Sequence, residues 1–406
     1  MIGAAAAAAI ALQLVNVNSQ GVQGDGHSIW ADVSRDGRLV VFDSFARNLS
    51  SRPLQRPGDQ EVYLRDRRSG RGTRMVSLNS RGRASNEWSW MPSLSPNGRY
   101  VAFCSTASNL VRPDRRPRVP HTGPGLDPHT DVFVRDLRRG VTRRASSDGR
   151  GRMANAGSCF PSVADNGDVA FVSEATDLVR GYRNRFIETF VWDWSSRRVR
   201  AVAAAPGGGP GPGSEGAAIS PDGRYVEFYT GGRLAVSDTD MLGDAYLYDR
   251  RRGSAQVVSP GPLNCFHGGI LGLTPHARHV LHWCGDMVRV LDRRSGRVVN
   301  ATPTLDGLPP NSTVTDAGIA ADGRTVVFCT SASNFLRPFD GVGEWVYAWQ
   351  RDSGAVTALA NAGSCVRTAD VSADGRTALF TADMPGLVPN DVRDVRQTDA
   401  FVAPLR

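Results

Sequence analysis

Ser95-Pro-Asn-Gly-Arg-Tyr-Val-Ala-Phe103 decides the fold, because the chain repeats it. Close copies are Ser34-Arg-Asp-Gly-Arg-Leu-Val-Val-Phe42, Ser220-Pro-Asp-Gly-Arg-Tyr-Val-Glu-Phe228, Ala320-Ala-Asp-Gly-Arg-Thr-Val-Val-Phe328 and Ser372-Ala-Asp-Gly-Arg-Thr-Ala-Leu-Phe380. Two weaker copies are Ala164-Asp-Asn-Gly-Asp-Val-Ala-Phe171, one residue short, and Thr274-Pro-His-Ala-Arg-His-Val-Leu-His282. The turn positions Gly37, Gly98, Gly167, Gly223, Ala277, Gly323 and Gly375 are 61, 69, 56, 54, 46 and 52 residues apart. Asp-Gly and Asn-Gly accept the positive φ of a tight hairpin, and alternating apolar residues follow as a strand. A β-only period of this size is that of a propeller blade.

Each repeat reads as four strands. In the second they are Pro92–Ser95, Arg99–Cys104, Asp131–Asp136 and Val141–Ala145, with a long loop after the second strand. Blades begin near residues 31, 92, 161, 217, 271, 317 and 369. The seventh repeat has only three strands, ending at Asp399–Arg406. The fourth is expected from the other end of the chain, because Leu14-Val-Asn-Val-Asn-Ser-Gln-Gly21 matches Met75-Val-Ser-Leu-Asn-Ser-Arg-Gly82, the outer strand of the first repeat. A strand from one terminus completing the last blade closes the ring and removes an open edge. The fold class is therefore all-β, a seven-bladed β-propeller of four-stranded antiparallel blades over residues 12–406, with 12–21 as the closing segment. The alanine-rich residues 1–11 read as the remnant of a secretory signal, too short to span a bilayer.

The formal charge is +8, and all 48 basic residues are arginine. Two readings stand: an arginine-rich codon bias, or an anionic partner. Six cysteines are present. Cys104 and Cys329 both follow the repeat's phenylalanine, and Cys159 and Cys365 both end the string Ala-Asn-Ala-Gly-Ser-Cys. This matched placement predicts Cys104–Cys159 and Cys329–Cys365 bridges and leaves Cys265–Cys284 as the third, hence an oxidising compartment, secreted or in the cell envelope.

The Ser-Pro-Asp-Gly-Arg-Tyr-Val-Ala-Phe pattern resembles TolB-like propeller repeats, relatives of the WD-type blade. Ser105-Thr-Ala-Ser-Asn-Leu-Val111 and Asp131-Val-Phe-Val-Arg-Asp136 resemble the version common in secreted actinobacterial proteins. The resemblance spans roughly residues 12–406. It implies the fold, while the family's members include scaffolds, envelope-complex subunits and enzyme shells.

The propeller geometry sorts the candidate sites. The Asp-Gly-Arg hairpins share one face with the turns between third and fourth strands; the long loops and the cysteines lie on the other. The largest loop, 112–130, carries Arg115, Arg116, Arg118, His121, Asp127 and His129 as binding candidates. The innermost strands are small and apolar, and Asp32, Asp316 and Asp370 are their acidic candidates at the central mouth. The hairpin face carries arginine clusters at Arg67-Arg68, Arg138-Arg139, Arg197-Arg198, Arg250-Arg251-Arg252 and Arg293-Arg294, with no aromatic residues interleaved as a stacking platform requires. Asp238, Asp240 and Asp244, and again Asp391, Asp394 and Asp399, have the oxygen-rich spacing of a calcium loop without its full pattern. No other cofactor is indicated. The sequence lacks a Gly-x-Ser-x-Gly elbow, a His-Glu-x-x-His pair, a phosphate loop, a nucleic-acid motif and a transmembrane stretch.

The leading expectation is a non-enzymatic, monomeric binding scaffold for a protein or cell-envelope partner, acting through the loop-rich face. The alternatives are a glycan hydrolase or uronate lyase with its site at the central mouth, and anionic-polymer binding along the arginine rim.

Overall fold

The repeated turn glycines adopt the left-handed backbone their dipeptides call for: φ lies between 66° and 88° at Gly37, Gly98, Gly167, Gly223, Gly323 and Gly375. The computed structural model describes residues 11–405 apart from 53, 55–57, 69–71, 112–125, 149–150, 183–185, 204–211, 236–242, 259–269, 336–342, 366–367, 390 and 392–396. Its strands form seven four-stranded sheets, and the pairings between them are antiparallel. Blade 1 is Ala31–Val33, Leu39–Ser44, Glu61–Asp66 and Thr73–Met75. Blade 7 is Ala369–Val371, Thr377–Ala382 and Asp399–Pro404, completed by Gln13–Leu14 from the N-terminus.

The repeat's terminal phenylalanine has a packing role. It stacks on the aromatic residue of its own third strand in six blades: Phe42–Tyr63, Phe103–Phe133, Phe171–Phe190, Phe228–Tyr246, Phe328–Tyr347 and Phe380–Phe401, with centroids 5.5–6.0 Å apart. Such pairs add roughly 0.5–1.5 kcal/mol each beyond area burial. Blade 5 breaks the pattern, with His282 opposite Arg289. Its turn also departs, since His276 and Ala277 both take positive φ without glycine.

In blades 1, 2, 4 and 5 the arginine after the turn pairs with the aspartate that ends the third strand. Examples are Arg38–Asp66 (2.6 Å), Arg99–Asp136 (2.7 Å) and Arg224–Asp249 (2.7 Å). Neighbouring hairpins then interlock around the ring. The Arg35 N–H donates to Pro96 O (2.8 Å), Asp165 N–H to Pro221 O (2.9 Å), Ala321 N–H to Ala373 O (3.0 Å) and Asp374 N–H to Arg35 O (2.9 Å).

One difference concerns the innermost strands. They start two to three residues earlier than the periodicity indicates in blades 2, 3, 4 and 6, at Ser89, Ser158, Glu215 and Val314. The cause is a bulge in each, marked by register shifts at Trp90/Ser93, Cys159/Ser162, Glu215/Ala218 and Val314/Asp316. An extra residue per bulge hides the regular alternation from a sequence reading.

Blade interfaces also bury acid. Glu227, in the second strand of blade 4, is fully buried with both carboxylate oxygens unpartnered. Burial alone pushes its pKa well above the usual range. Glu61 is raised to about 8, chiefly by burial and despite hydrogen bonds from Ser77 and Ser85. The folded chain thus keeps protons that the unfolded chain releases above about pH 4.3, so stability falls as pH climbs from 5 to 8. Glu227→Met is expected to raise the urea midpoint more at pH 8 than at pH 5, with a gain of roughly 1–3 kcal/mol at the higher pH. An unchanged pH slope would contradict this account.

Candidate functional site

The bulges do more than shift register. In blades 2 and 3 they place a large residue in the left-handed region directly before a proline: Met91 (φ 49°) before Pro92, and Phe160 (φ 54°) before Pro161. Blade 4 uses Gly216 (φ 72°) at the same place. Side-chain-bearing residues avoid this region, and the residue before proline is further restricted. The strain is held by the surrounding structure and aims two apolar side chains inward.

They point into a cavity of about 540 Å³ at the centre of the loop-rich face. Its walls include Trp30, Met91, Phe160, Trp283, Glu215 and Asp316. Phe160 is 43% exposed there. A second cavity of about 330 Å³ shares Pro92, Pro161 and Ala217 with it and continues along the channel to Asp32 and Asp370.

The three acidic candidates occupy this axis, each bound to backbone of the next blade or its own. Asp32 accepts the Leu94 N–H (2.6 Å) and its own strand's Val33 N–H (2.6 Å). Asp316 accepts the Ala369 N–H (3.0 Å) and the Ala317 N–H (2.9 Å). Ser93 and Ser162 do the same work, accepting from Val163 (3.2 Å) and Ile219 (3.1 Å). These oxygens satisfy amides on the inner edge of each blade. Asp32 and Asp370 face each other, and burial with their mutual repulsion raises Asp32 well above the carboxylate range. Burial lifts Asp370 to about 6 and Asp316 to about 7.

Cys104–Cys159 joins the second strand of blade 2 to the innermost strand of blade 3, and Cys329–Cys365 joins the second strand of blade 6 to the connection that leads into the innermost strand of blade 7. Cys284 is also disulfide-bonded, while Cys265 lies outside the described residues. The first bridge braces the mouth. Cys159 precedes Phe160, and its Sγ lies 3.5 Å from Met91 Sδ. In blade 1 Asp43 stands where Cys104 stands in blade 2. Its carboxylate accepts the Met91 N–H (2.9 Å) and the Trp30 N–H (3.1 Å), so it anchors two more wall residues.

Of the long-loop candidates, Arg115, Arg116, Arg118 and His121 lie outside the described residues. Asp127 and His129 line a separate cavity of about 460 Å³ with Gln60, Glu87, Trp88 and Trp90. Trp88 is 49% exposed and packs edge-on against Phe45. For the two proposed calcium clusters, Asp238, Asp240 and Asp394 lie outside the described residues. Asp391 and Asp399 share the amide of Gln23, whose Nε2 donates to both (3.1 and 2.8 Å).

Four arginines cover aromatic rings, of which Arg293 alone belongs to the arginine pairs of the rim: Arg224 and Arg293 cover Tyr225 at 4.7 and 4.8 Å, Arg99 covers Tyr100 at 4.8 Å, and Arg143 covers Trp194 at 3.9 Å. The rings are buried under the guanidinium groups rather than offered to solvent. Arg99–Tyr100 and Arg224–Tyr225 are sequence neighbours within the Gly-Arg-Tyr turn, whereas Arg143–Trp194 and Arg293–Tyr225 cross between adjacent blades and have no local pattern.

The sequence reading missed Trp30, Met91, Phe160, Trp283 and Glu215. The available signal was the parallel between Trp90-Met91-Pro92-Ser93 and Cys159-Phe160-Pro161-Ser162, with a bulky residue before proline in strands otherwise built of small ones.

No protein-family model and no curated protein matches the chain. Solved structures do. An oligogalacturonate lyase in complex with manganese aligns over 98% of this chain and 97% of its own at 12% identity, TM-score 0.56. The Vibrio parahaemolyticus oligogalacturonate lyase aligns over 98% and 99% at 11% identity, TM-score 0.54. An acylaminoacyl peptidase from Pyrococcus horikoshii aligns over 94% of this chain but only 52% of its own, at 12% identity and TM-score 0.54. At these identities the likeness is one of fold.

Proposed function

We propose that this chain is a non-enzymatic binding scaffold, acting outside the cytoplasm on a protein or cell-envelope partner through the loop-rich face. The observation that carries the reading is the strained, disulfide-braced placement of Met91 and Phe160 in the central mouth. A rigid aromatic side chain in a preformed concavity is the usual anchor of a binding surface. The bridges Cys104–Cys159 and Cys329–Cys365 favour an oxidising compartment. Among the described residues no helix is long and apolar enough to cross a membrane.

The enzyme alternative has less support. Asp32 and Asp316 are committed to backbone amides, and the described wall of the mouth offers no basic side chain beside them. A uronate polymer would bring anionic groups to walls whose charged members are Glu215 and Asp316. Hairpin-face arginines such as Arg99, Arg224 and Arg250 are likewise committed, to Asp136, Asp249 and Asp168.

The test is crosslinked capture from a cell-envelope extract with two variants. Phe160→Asn removes the ring while keeping a residue that tolerates positive φ. Arg68→Glu with Arg294→Glu changes the opposite face. A partner lost by the first variant and kept by the second is expected. The reverse pattern would move function to the arginine rim.

A further inference from the structure

The chain carries +8 overall, yet the charged residues that line the cavities of the loop-rich face are mostly acidic. Glu215 and Asp316 are in the mouth. Glu87 and Asp127 line the cavity beside Trp88. Glu174 and Glu215 line a third of about 500 Å³, which meets the mouth at Ile187 and Glu215. No arginine lines any of the three among the described residues, and His129 is their only titratable base. The arginines that pair in the structure do so mostly at the hairpin face.

Within the mouth, the two carboxylates differ. Asp316 has both oxygens on backbone amides. Glu215 is exposed and makes no ion pair or side-chain hydrogen bond among the described residues. It shares the cavity with three aromatic rings, those of Trp30, Phe160 and Trp283. Aromatic faces attract cations, most strongly when water is excluded, and a nearby carboxylate adds a counter-charge.

We propose that the central mouth binds an organic cation, an ammonium or guanidinium group on an apolar body, with Glu215 as counter-ion and Trp30, Phe160 and Trp283 as walls. This rests on the reading of the loop-rich face as a binding surface and names the chemistry of its ligand. The same arrangement selects against polyanions such as oligogalacturonate, whose carboxylates would meet Glu215 across a few ångströms.

Calorimetric titration of the oxidised protein with benzylguanidine, benzyl alcohol and trigalacturonate tests it. Benzylguanidine should bind at least tenfold more tightly than benzyl alcohol. Glu215→Gln should weaken benzylguanidine roughly tenfold and leave benzyl alcohol unchanged, the size expected for one charge-assisted contact. Phe160→Asn should weaken both. Trigalacturonate binding as tightly as benzylguanidine, or a cation affinity indifferent to Glu215→Gln, would overturn the proposal. Competition during capture separates two sources of the cation. A captured partner displaced by benzylguanidine carries the group itself; a partner that stays bound leaves the mouth to a free amine or guanidine. A mouth that captures a partner but ignores benzylguanidine would sink the charge assignment and leave the scaffold reading standing.

Discussion

A chain lacking Gln13–Val17 should fail to accumulate as a folded, soluble protein. That segment supplies the outer strand of blade 7, with Gln13 opposite Val402 and Leu14 opposite Phe401. Leu14, Val15 and Val17 are buried, and burial of three aliphatic side chains contributes about 6 kcal/mol. Polar links go with them. The Val15 N–H donates to Ala400 O (2.8 Å), Asn16 Nδ2 donates to Asp399 (2.5 Å), and the Thr73 hydroxyl of blade 1 donates to Val17 O. Losing Asn16 leaves a buried carboxylate short of a donor, at roughly 1–3 kcal/mol. Set against a total stability of about 5–15 kcal/mol, the loss is close to complete. It also bares the edge of Asp399–Pro404 to other chains. Soluble yield and thermal unfolding measure the effect, and a synthetic peptide spanning residues 11–22 should restore part of both. A truncated protein that melts within a few degrees of the full chain would show that the ring does not depend on this closure.

Much of the fold was legible because the repeated residues do the same local job in most blades. The turn glycine supplies positive φ, the arginine after it pairs with the third-strand aspartate, and the phenylalanine stacks on a third-strand ring. Even the Ser-Asn of the long loops makes a recurring contact. Asn109 Oδ1 accepts the Asn86 N–H (3.1 Å), and Asn334 Oδ1 accepts the Asn311 N–H (3.2 Å). The closing strand and two bridges were readable for the same reason, since equivalent positions in different blades make equivalent contacts. The mouth was legible only in part. Asp32 and Asp370 were found as inner-strand acids, but their amide partners come from backbone shape that side-chain identity does not encode. Met91 and Phe160 face the mouth through bulges, which have no fixed sequence signature, and Trp283 reaches it from blade 5, the most divergent repeat. What converges on a propeller's axis comes from blades far apart in sequence, so a reading along one strand does not see it.

The two described bridges should prove alike in stability and unlike in function. Cys104–Cys159 closes a loop of 55 residues and Cys329–Cys365 one of 36. On the loop-entropy account each stabilises the fold by about 4 kcal/mol, because the logarithm hardly separates the two lengths. Replacing either pair with alanine should therefore lower the urea midpoint by a similar amount. Binding should separate them. Cys159 holds the backbone beside Phe160 and touches Met91, so its loss releases the strain that aims both side chains into the mouth. Cys365 instead lies beside Glu344, whose Oε2 accepts the Cys365 N–H (2.5 Å), and neither residue lines the mouth. Cys104→Ala with Cys159→Ala should weaken benzylguanidine about tenfold, the order of effect when a preorganised anchor becomes mobile. Cys329→Ala with Cys365→Ala should leave that affinity within twofold under conditions where both variants are folded. Urea unfolding gives the first quantity and calorimetric titration the second. Equal losses of binding would mean that the bridges act only through global stability. A loss confined to the Cys104–Cys159 variant would place the function of that bridge in the local geometry of the mouth, where the bulged strand of blade 3 depends on it.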